Sequence, residues 1–396
     1  MARGNAMTVQ RGLAAVLLLA GLAGAGGAVA RTSPSVPQAQ TASPDQATLA
    51  VMTPEQLRAR AQARLANPNR PTGWWAETVS KQPDAWYRSP EGLAMTANIL
   101  SWQDPTGGWP LMNTTRELNR GDPAQAGPWG AKGALIKATV NEMRFLARAY
   151  RATGDAKDLT AVRRGLGFIL MYQYPTGGWP HSVPPPPEGY ERYATFNDDM
   201  IVDVMSLLRE VAAGGDFASL PEADRQAAKA SFDRALDFIL KTQIVVDGKR
   251  TAWGQQYDEV ALEPRAARRF EPVAISGGES VGVLLLLMSL EDPSPEVRRA
   301  IREGADWFDR VQLHGIRFVR ENGDGVVRPD PTAPPLWARY YEIGTNRPIF
   351  AGRDGVIRYD LSEVEQERRG GYGWYSPAGA QVLTAYAAWR QAHSEH

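Results

Sequence analysis

Residues 99–110 read ILSWQDPTGGWP, and residues 169–180 read ILMYQYPTGGWP. Gln103 and Gln173 stand 70 positions apart, and a further 70 lands on Gln243 inside residues 239–254, ILKTQIVVDGKRTAWG. That third copy keeps Ile239, Leu240 and Gln243 and inserts four residues before its tryptophan, Trp253. A strict period of this length marks one supersecondary unit written repeatedly. Each copy closes a stretch with helical spacing. Val162, Leu166, Ile169 and Leu170 form one apolar stripe, and Met143, Leu146 and Tyr150 form another within Asn141–Tyr150. RATGDAKD joins the two, with Gly154 where a helix C-terminus wants a left-handed residue. Pro-Thr-Gly-Gly then stops the second helix. Two helices per unit and three units give an all-α fold, an (α/α)3 toroid of helical hairpins with long Pro/Gly loops and little β structure. The glutamines are expected near inner-helix ends, and the loops after successive inner helices are expected to gather at one end of the ring. Trp109 and Trp179 then either anchor their loops over helix ends or help wall a sugar site.

The 396-residue chain carries 44 basic and 44 acidic side chains. A nucleic-acid binder ordinarily shows a basic excess, so nucleic acid is not an expected partner. Arg3 and Arg11 precede an apolar, Gly-interrupted run ending in Ala28-Val29-Ala30. This reads as a signal peptide over 1–30, leaving a secreted or periplasmic protein with no membrane contact once the leader is cleaved. Residues 31–48, rich in Pro, Ser, Thr and Gln, read as a disordered linker, and 49–396 as one toroid domain, expected as a monomer. The chain contains no cysteine, which excludes disulfides and thiolate metal sites.

Only four histidines occur, without HExxH spacing, and neither GxSxG nor a P-loop lysine signature is present. The chemistry therefore rests on carboxylates, arginines and amides, in three clusters. Asn197, Asp198 and Asp199 open an apolar helix, as a cap with first-turn acids or as an oxygen-rich cation site. Arg268, Arg269, Glu271 and Glu279 flank Gly277-Gly278. Arg339, Arg347, Arg353 and Asp354 are interleaved with Trp337, Tyr340, Tyr341 and Phe350. Forked guanidiniums grip carboxylates two-pronged, and aromatics suit sugar faces, so the pattern points to a carboxylated sugar polymer. The other reading of this cluster is a structural Arg–Asp–Glu network.

SWQDPTGGWP, MRFLARAYRATGD, QYPTGGWP, TFNDD, ILKTQIVVDGK, SGGESVGVL, LWARYYEIGTNRPIFAGRDGV and ERRGGYGWY, in this order between Pro90 and Tyr375, resemble a pectate lyase of polysaccharide lyase family 10. The resemblance implies an α/α toroid and Ca2+-assisted β-elimination of polygalacturonate, an anionic galacturonan, to 4,5-unsaturated oligogalacturonides. It implies Arg353 as the catalytic base, Arg268 and Arg339 as substrate-binding residues, and Asp198 as a metal carboxylate. The chain departs from the family pattern where an Asp-Asn pair is expected. Leu135 and Ile136 stand there, followed by Lys137. Neither apolar side chain can ligate calcium, so both are expected beside Asp198 with the metal weakened or lost and Lys137 pairing with the uronate. Tyr257 replaces a usual histidine, and Leu111-Met112 stand where a lysine is common. The alternatives are a catalytically impaired homologue that binds uronate polymer and, on QxxxGGW and DDMIVD, a terpenoid cyclase or prenyltransferase. Export and the arginine clusters fit the latter poorly.

Overall fold

A computed structural model describes residues 82–110 and 135–393. The proposed leader, linker and first part of the domain, and the Leu111-Met112 departure, lie outside those residues. The helices of eight or more residues are α1 (Pro90–Ser101), α2 (Ile136–Thr153), α3 (Ala156–Met171), α4 (Met200–Ala213), α5 (Glu222–Thr242), α6 (Glu279–Met288), α7 (Pro295–Arg310) and α8 (Gly379–Ala392). Three hairpins result: α2/α3, α4/α5 and α6/α7. In each hairpin the first helix is the more deeply buried. All ten residues of α6 are buried, whereas α7 buries one stripe comprising Val297, Ala300, Ile301, Gly304, Ala305, Trp307 and Phe308. Helices α2, α4 and α6 pack in succession as the inner layer, while α1, α3, α5 and α7 pack in succession as the outer layer. Helix α8 lies against both α6 and α7. The fold is the α/α toroid that the 70-residue period predicts.

Local chemistry sets the helix ends. Gly154 takes φ 76° at the end of α2, the left-handed cap expected there. Ser89 and Ser294 each accept a hydrogen bond from the first turn of a helix that begins with proline.

The glutamines correct one expectation. Gln103, Gln173 and Gln243 follow the outer helices α1, α3 and α5, not the inner ones. Their placement is nevertheless equivalent. Each Nε2 donates to a carbonyl of its own loop (Gly107, Gly177, Thr251) and to a carbonyl of the next outer helix (Ala161, Ser231, Ala300), at 2.8–3.0 Å. The tryptophans settle the other choice. Trp109, Trp179 and Trp253 are fully buried, and each indole N–H donates to the preceding outer helix at Ile99, Ile169 and Ile239, 2.8 Å in each case. They anchor loops and offer no face to a sugar. A fourth copy, absent from the sequence reading, is Trp337, whose indole donates to Phe308 of α7 at 2.8 Å.

Strands are short, apart from one hairpin of Ile316–Glu321 with Asp324–Pro329 around Asn322-Gly323. A second, smaller core lies beneath the segment between α7 and α8. Phe270, Tyr340, Phe350, Leu361, Tyr372 and Trp374 belong to it.

Candidate functional site

The long loops run from each outer helix to the next inner one, so the chemistry collects at the N-terminal ends of the inner helices. Lys137 lies in the first turn of α2, Asn197–Asp199 immediately precede α4, and Glu279 opens α6. The loop before α6 supplies Arg268 and Glu271, and the segment before α8 supplies Arg339 and Arg353. Helix N-termini carry partial positive charge, which favours an anionic ligand at this end.

A buried polar network ties these pieces together. Arg268 donates through Nε to Glu271 Oε2 at 2.8 Å, and its outer nitrogen pairs with Glu271 Oε1. Glu271 also accepts from Tyr372 Oη at 2.7 Å and from Gln255 Nε2 at 3.2 Å. Gln255 donates to Asn197 Oδ1 at 2.6 Å and accepts from Tyr340, which contacts Tyr372 Oη at 2.8 Å. Arg339 reaches Asn197 Oδ1 at 3.4 Å, forms an ion pair with Glu279 and sits 4.8 Å over the Tyr372 ring. Glu279 is held in turn by Ser276. Burial pushes the Glu271 carboxyl up, but its hydrogen bond and ion pair with Arg268, then Arg339 and Tyr372, outweigh that and hold it at about 2. Burial likewise opposes charge on Arg339, yet Glu279 opposite keeps its guanidinium well above the usual range.

Of the residues singled out in the sequence, Asp198, Arg268, Arg339 and Arg353 are brought to one region. Phe270 gathers three guanidiniums, with Arg268, Arg353 and Arg368 at 4.9, 5.9 and 4.7 Å from its ring centroid. Arg353 is 59% exposed and forked onto Glu367 at 2.9 and 3.0 Å. Arg339 is only 8% exposed and enclosed by its partners Glu279, Asn197 and Tyr340. Arg347 lies elsewhere, 3.7 Å over Tyr359, and Asp354 pairs with Arg358 at 2.7 Å. The aromatics interleaved with these arginines are core: Trp337, Tyr340, Tyr341 and Phe350 are all buried. Tyr257, the histidine replacement, is also buried, and its hydroxyl accepts from Gly254 N at 2.6 Å.

The Asn-Asp-Asp segment does not cap its helix. Asp198 and Asp199 have φ 54° and 59°, a left-handed pair costing roughly 1 kcal/mol or more per residue, and no side chain caps α4. Asn197 Nδ2 donates to Asp198 Oδ2 at 2.9 Å. Asp199 is turned toward α6, where its carboxylate leaves no room for a Cβ at Gly282.

The expected Asp-Asn position is taken by Leu135 and Ile136 at the start of α2. Ile136 is buried in the core, and Leu135 is the N-terminal flank of α2, its backbone bridged to Trp109. Neither is an oxygen ligand for a metal beside Asp198. Lys137 does reach it, because its Nζ donates to the backbone carbonyl of Asp198 and lies 3.4 Å from Asp203 Oδ2. Burial alone would lower the lysine pKa, but Asp203, Asp198 and Asp199 together raise it, so the ammonium stays charged.

Gln255, Tyr372, Asp203 and Arg368 escaped the sequence reading as site residues. His181 was weighed only as a zinc ligand. Burial lowers its imidazole against the pull of Asp198, Glu191 and Glu271, and Arg268 lowers it further. Asp203 carried a signal: it closes the DDMIVD stretch, one turn into α4.

Residues 103–383 match the family described as pectic acid lyase. A mutant family 10 polysaccharide lyase from Cellvibrio cellulosa, solved in complex with trigalacturonic acid, is 28% identical with a TM-score of 0.68, over 85% of this chain and 98% of that one. A family 10 polysaccharide lyase structure from the same organism is 29% identical with a TM-score of 0.66, over 81% of this chain and 98% of that one. No curated protein matches the chain. Since the matched region runs from the first of the loop-closing glutamines into α8 and holds every side chain of the polar network above, the chain belongs to the pectic acid lyase family.

Proposed function

We propose that this protein cleaves polygalacturonate by β-elimination, as an exported enzyme. The observation that carries the reading is the gathering of Arg268 and Arg353 at the ring of Phe270, with Arg268 joined through Glu271, Gln255 and Asn197 to Asp198. In the reaction the C5 proton beside the uronate carboxylate is removed. The C5–H electron pair becomes the C4=C5 double bond, and the C4–O bond breaks. The departing oxygen takes a proton. Negative charge builds on the carboxylate during this step, so cations placed there stabilise the transition state more than the ground state.

Geometry supports moving the proton-accepting role from Arg353 to Arg268. Arg268 is linked by hydrogen bonds through Glu271, Gln255 and Asn197 to Asp198, whereas Arg353 is mostly in solvent and forked onto Glu367. A guanidinium accepts a proton only from its neutral form. Glu271 favours the charged form of Arg268, but its carboxylate is shared with Tyr372 and Gln255, which can retain it when substrate arrives. Arg353, exchanging Glu367 for a uronate, binds a neighbouring sugar unit. Arg339 positions Asn197 and Glu279 from behind.

Calcium, implied by the family, fits these side chains poorly. Among the described residues no group of three His, Asp or Glu could hold a metal ion. Asp198, Asp199 and Asp203 turn to Asn197, to α6 and to Lys137 respectively.

The test follows the ultraviolet absorbance of the conjugated unsaturated product on polygalacturonate. Arg268→Ala is expected to lower kcat at least 100-fold, the scale of losing one transition-state group. Arg353→Ala is expected to raise KM with a smaller change in kcat. The reverse pattern would return the base to Arg353. Absence of unsaturated product from the wild type under every cation condition would remove the lyase reading.

A further inference from the structure

We infer that the Lys137 ammonium is the resident cation of the site, and that uronate binding and elimination proceed without a divalent metal. The inference rests on the galacturonan reading above and deepens it. An ammonium has three N–H donors. One goes to the carbonyl of Asp198 and one faces Asp203 Oδ2 at 3.4 Å, so among the described residues one remains for an incoming carboxylate. The side chain is 36% exposed, which leaves that donor within reach.

The surroundings are built around the lysine. The left-handed pair Asp198-Asp199 turns the chain where the Asp198 carbonyl meets Nζ. A divalent ion needs several convergent oxygens. Here the Asp198 carbonyl is occupied by Nζ, the Asp198 carboxylate accepts from Asn197, and Asp199 is packed toward Gly282. Calcium could enter only by displacing an ammonium fixed to the protein. The adjoining α2 residues offer it nothing, since Ile136 is in the core and Leu135 is apolar. A covalently attached cation also costs no binding equilibrium. It neutralises the carboxylate in the transition state whether or not metal is in the medium.

The experiment uses the full exported chain, polygalacturonate as substrate and trigalacturonic acid as binding probe. Wild type is assayed in a chelator and in millimolar calcium, and both calcium and trigalacturonic acid are titrated by calorimetry. Expected are rates equal within about twofold in the two media and no calcium binding. Lys137→Met should lower kcat/KM about 100-fold, and Lys137→Arg, which keeps the charge, should recover part of it. Circular dichroism confirms that both variants are folded. Activity abolished by chelator, or calcium binding at the micromolar level, overturns the inference and leaves the lyase reading standing. Lack of cleavage in both media removes the lyase reading instead, and the binding arm then decides. Trigalacturonic acid affinity in chelator that falls about tenfold or more in Lys137→Met supports the resident cation, and unchanged affinity overturns it.

Discussion

Arg339 illustrates how a residue picked out in sequence for substrate can carry a structural task as well. It stands among aromatics and other arginines, a pattern that suits sugar carboxylates, yet in the fold those aromatics are buried, Trp337 and Tyr341 in the main core and Tyr340 and Phe350 in the second, and Arg339 is enclosed with them. Its guanidinium neutralises Glu279 inside the protein. Removing one partner of a buried pair leaves the other charge uncompensated, so Arg339→Ala is expected to lose about 3–5 kcal/mol of stability. Equilibrium urea unfolding measures this, and a loss below about 1 kcal/mol would show that the pair is wetter than its geometry implies. Arg339→Lys should recover only part, because an ammonium cannot span Glu279, Asn197 and Tyr340 as the planar fork does. Activity lost in Arg339→Ala therefore says little about substrate contact. Arg268, Arg353 and Asp198 were readable from local composition. Their closing partners, Gln255 and Tyr372, were not, because Gln255 donates to Asn197 across 58 residues and Tyr372 donates to Glu271 across 101.

Among the elements, the repeated motif is the most legible part of the chain, and its mechanism explains why. Gly107 and Gly177 take φ near 110°, and a Cβ there would stand 2.3 and 2.2 Å from the Arg164 and Arg234 carbonyls of the next outer helix. The glutamine amide then bridges the loop to that same helix. Glutamine, Gly-Gly and tryptophan are thus one joint between adjacent outer helices, repeated because the helix pair repeats. The sequence placed this joint on the wrong layer. Both helices of a hairpin show a 3.6-residue stripe, and periodicity alone does not say which is enclosed on every side. The fourth joint escaped because the chain between Phe308 and Trp337 takes in the Ile316–Glu321/Asp324–Pro329 hairpin. Gln312 occupies its glutamine position, 69 residues after Gln243, but among the described residues its amide donates only to Asp309. Gln173→Leu leaves the Gly177 and Ser231 carbonyls without their amide donor and should cost about 2 kcal/mol. Gln312→Leu should cost under about 0.5 kcal/mol. Thermal unfolding of the two variants side by side checks this, and equal losses would refute a joint that works through the neighbouring helix.

For the described domain as a whole, the closing element is α8. Hairpins in a two-layered toroid each cover their neighbours, so the last inner helix needs a cover that no further hairpin supplies. All ten residues of α6 are buried, and α8 packs on both α6 and α7, burying Gln381, Val382, Ala385 and Trp389. The family match ends at residue 383, partway along this helix, although Trp389 at 3% exposure lies beyond it. Trp389 stacks on His393 at 4.5 Å and on Tyr386 at 6.2 Å, so the distal half of α8 is packed structure. Trp389→Ala should therefore cost about 3–5 kcal/mol, the range for emptying a large buried aromatic site. Ending the chain after Ala378 should do more. It uncovers the apolar surface of α6, and exposed patches of that kind drive association. Size-exclusion chromatography of the shortened chain is expected to show aggregates, with the cooperative thermal transition lost. A monomeric shortened chain that still melts cooperatively would show that α6 finds its cover elsewhere in the domain.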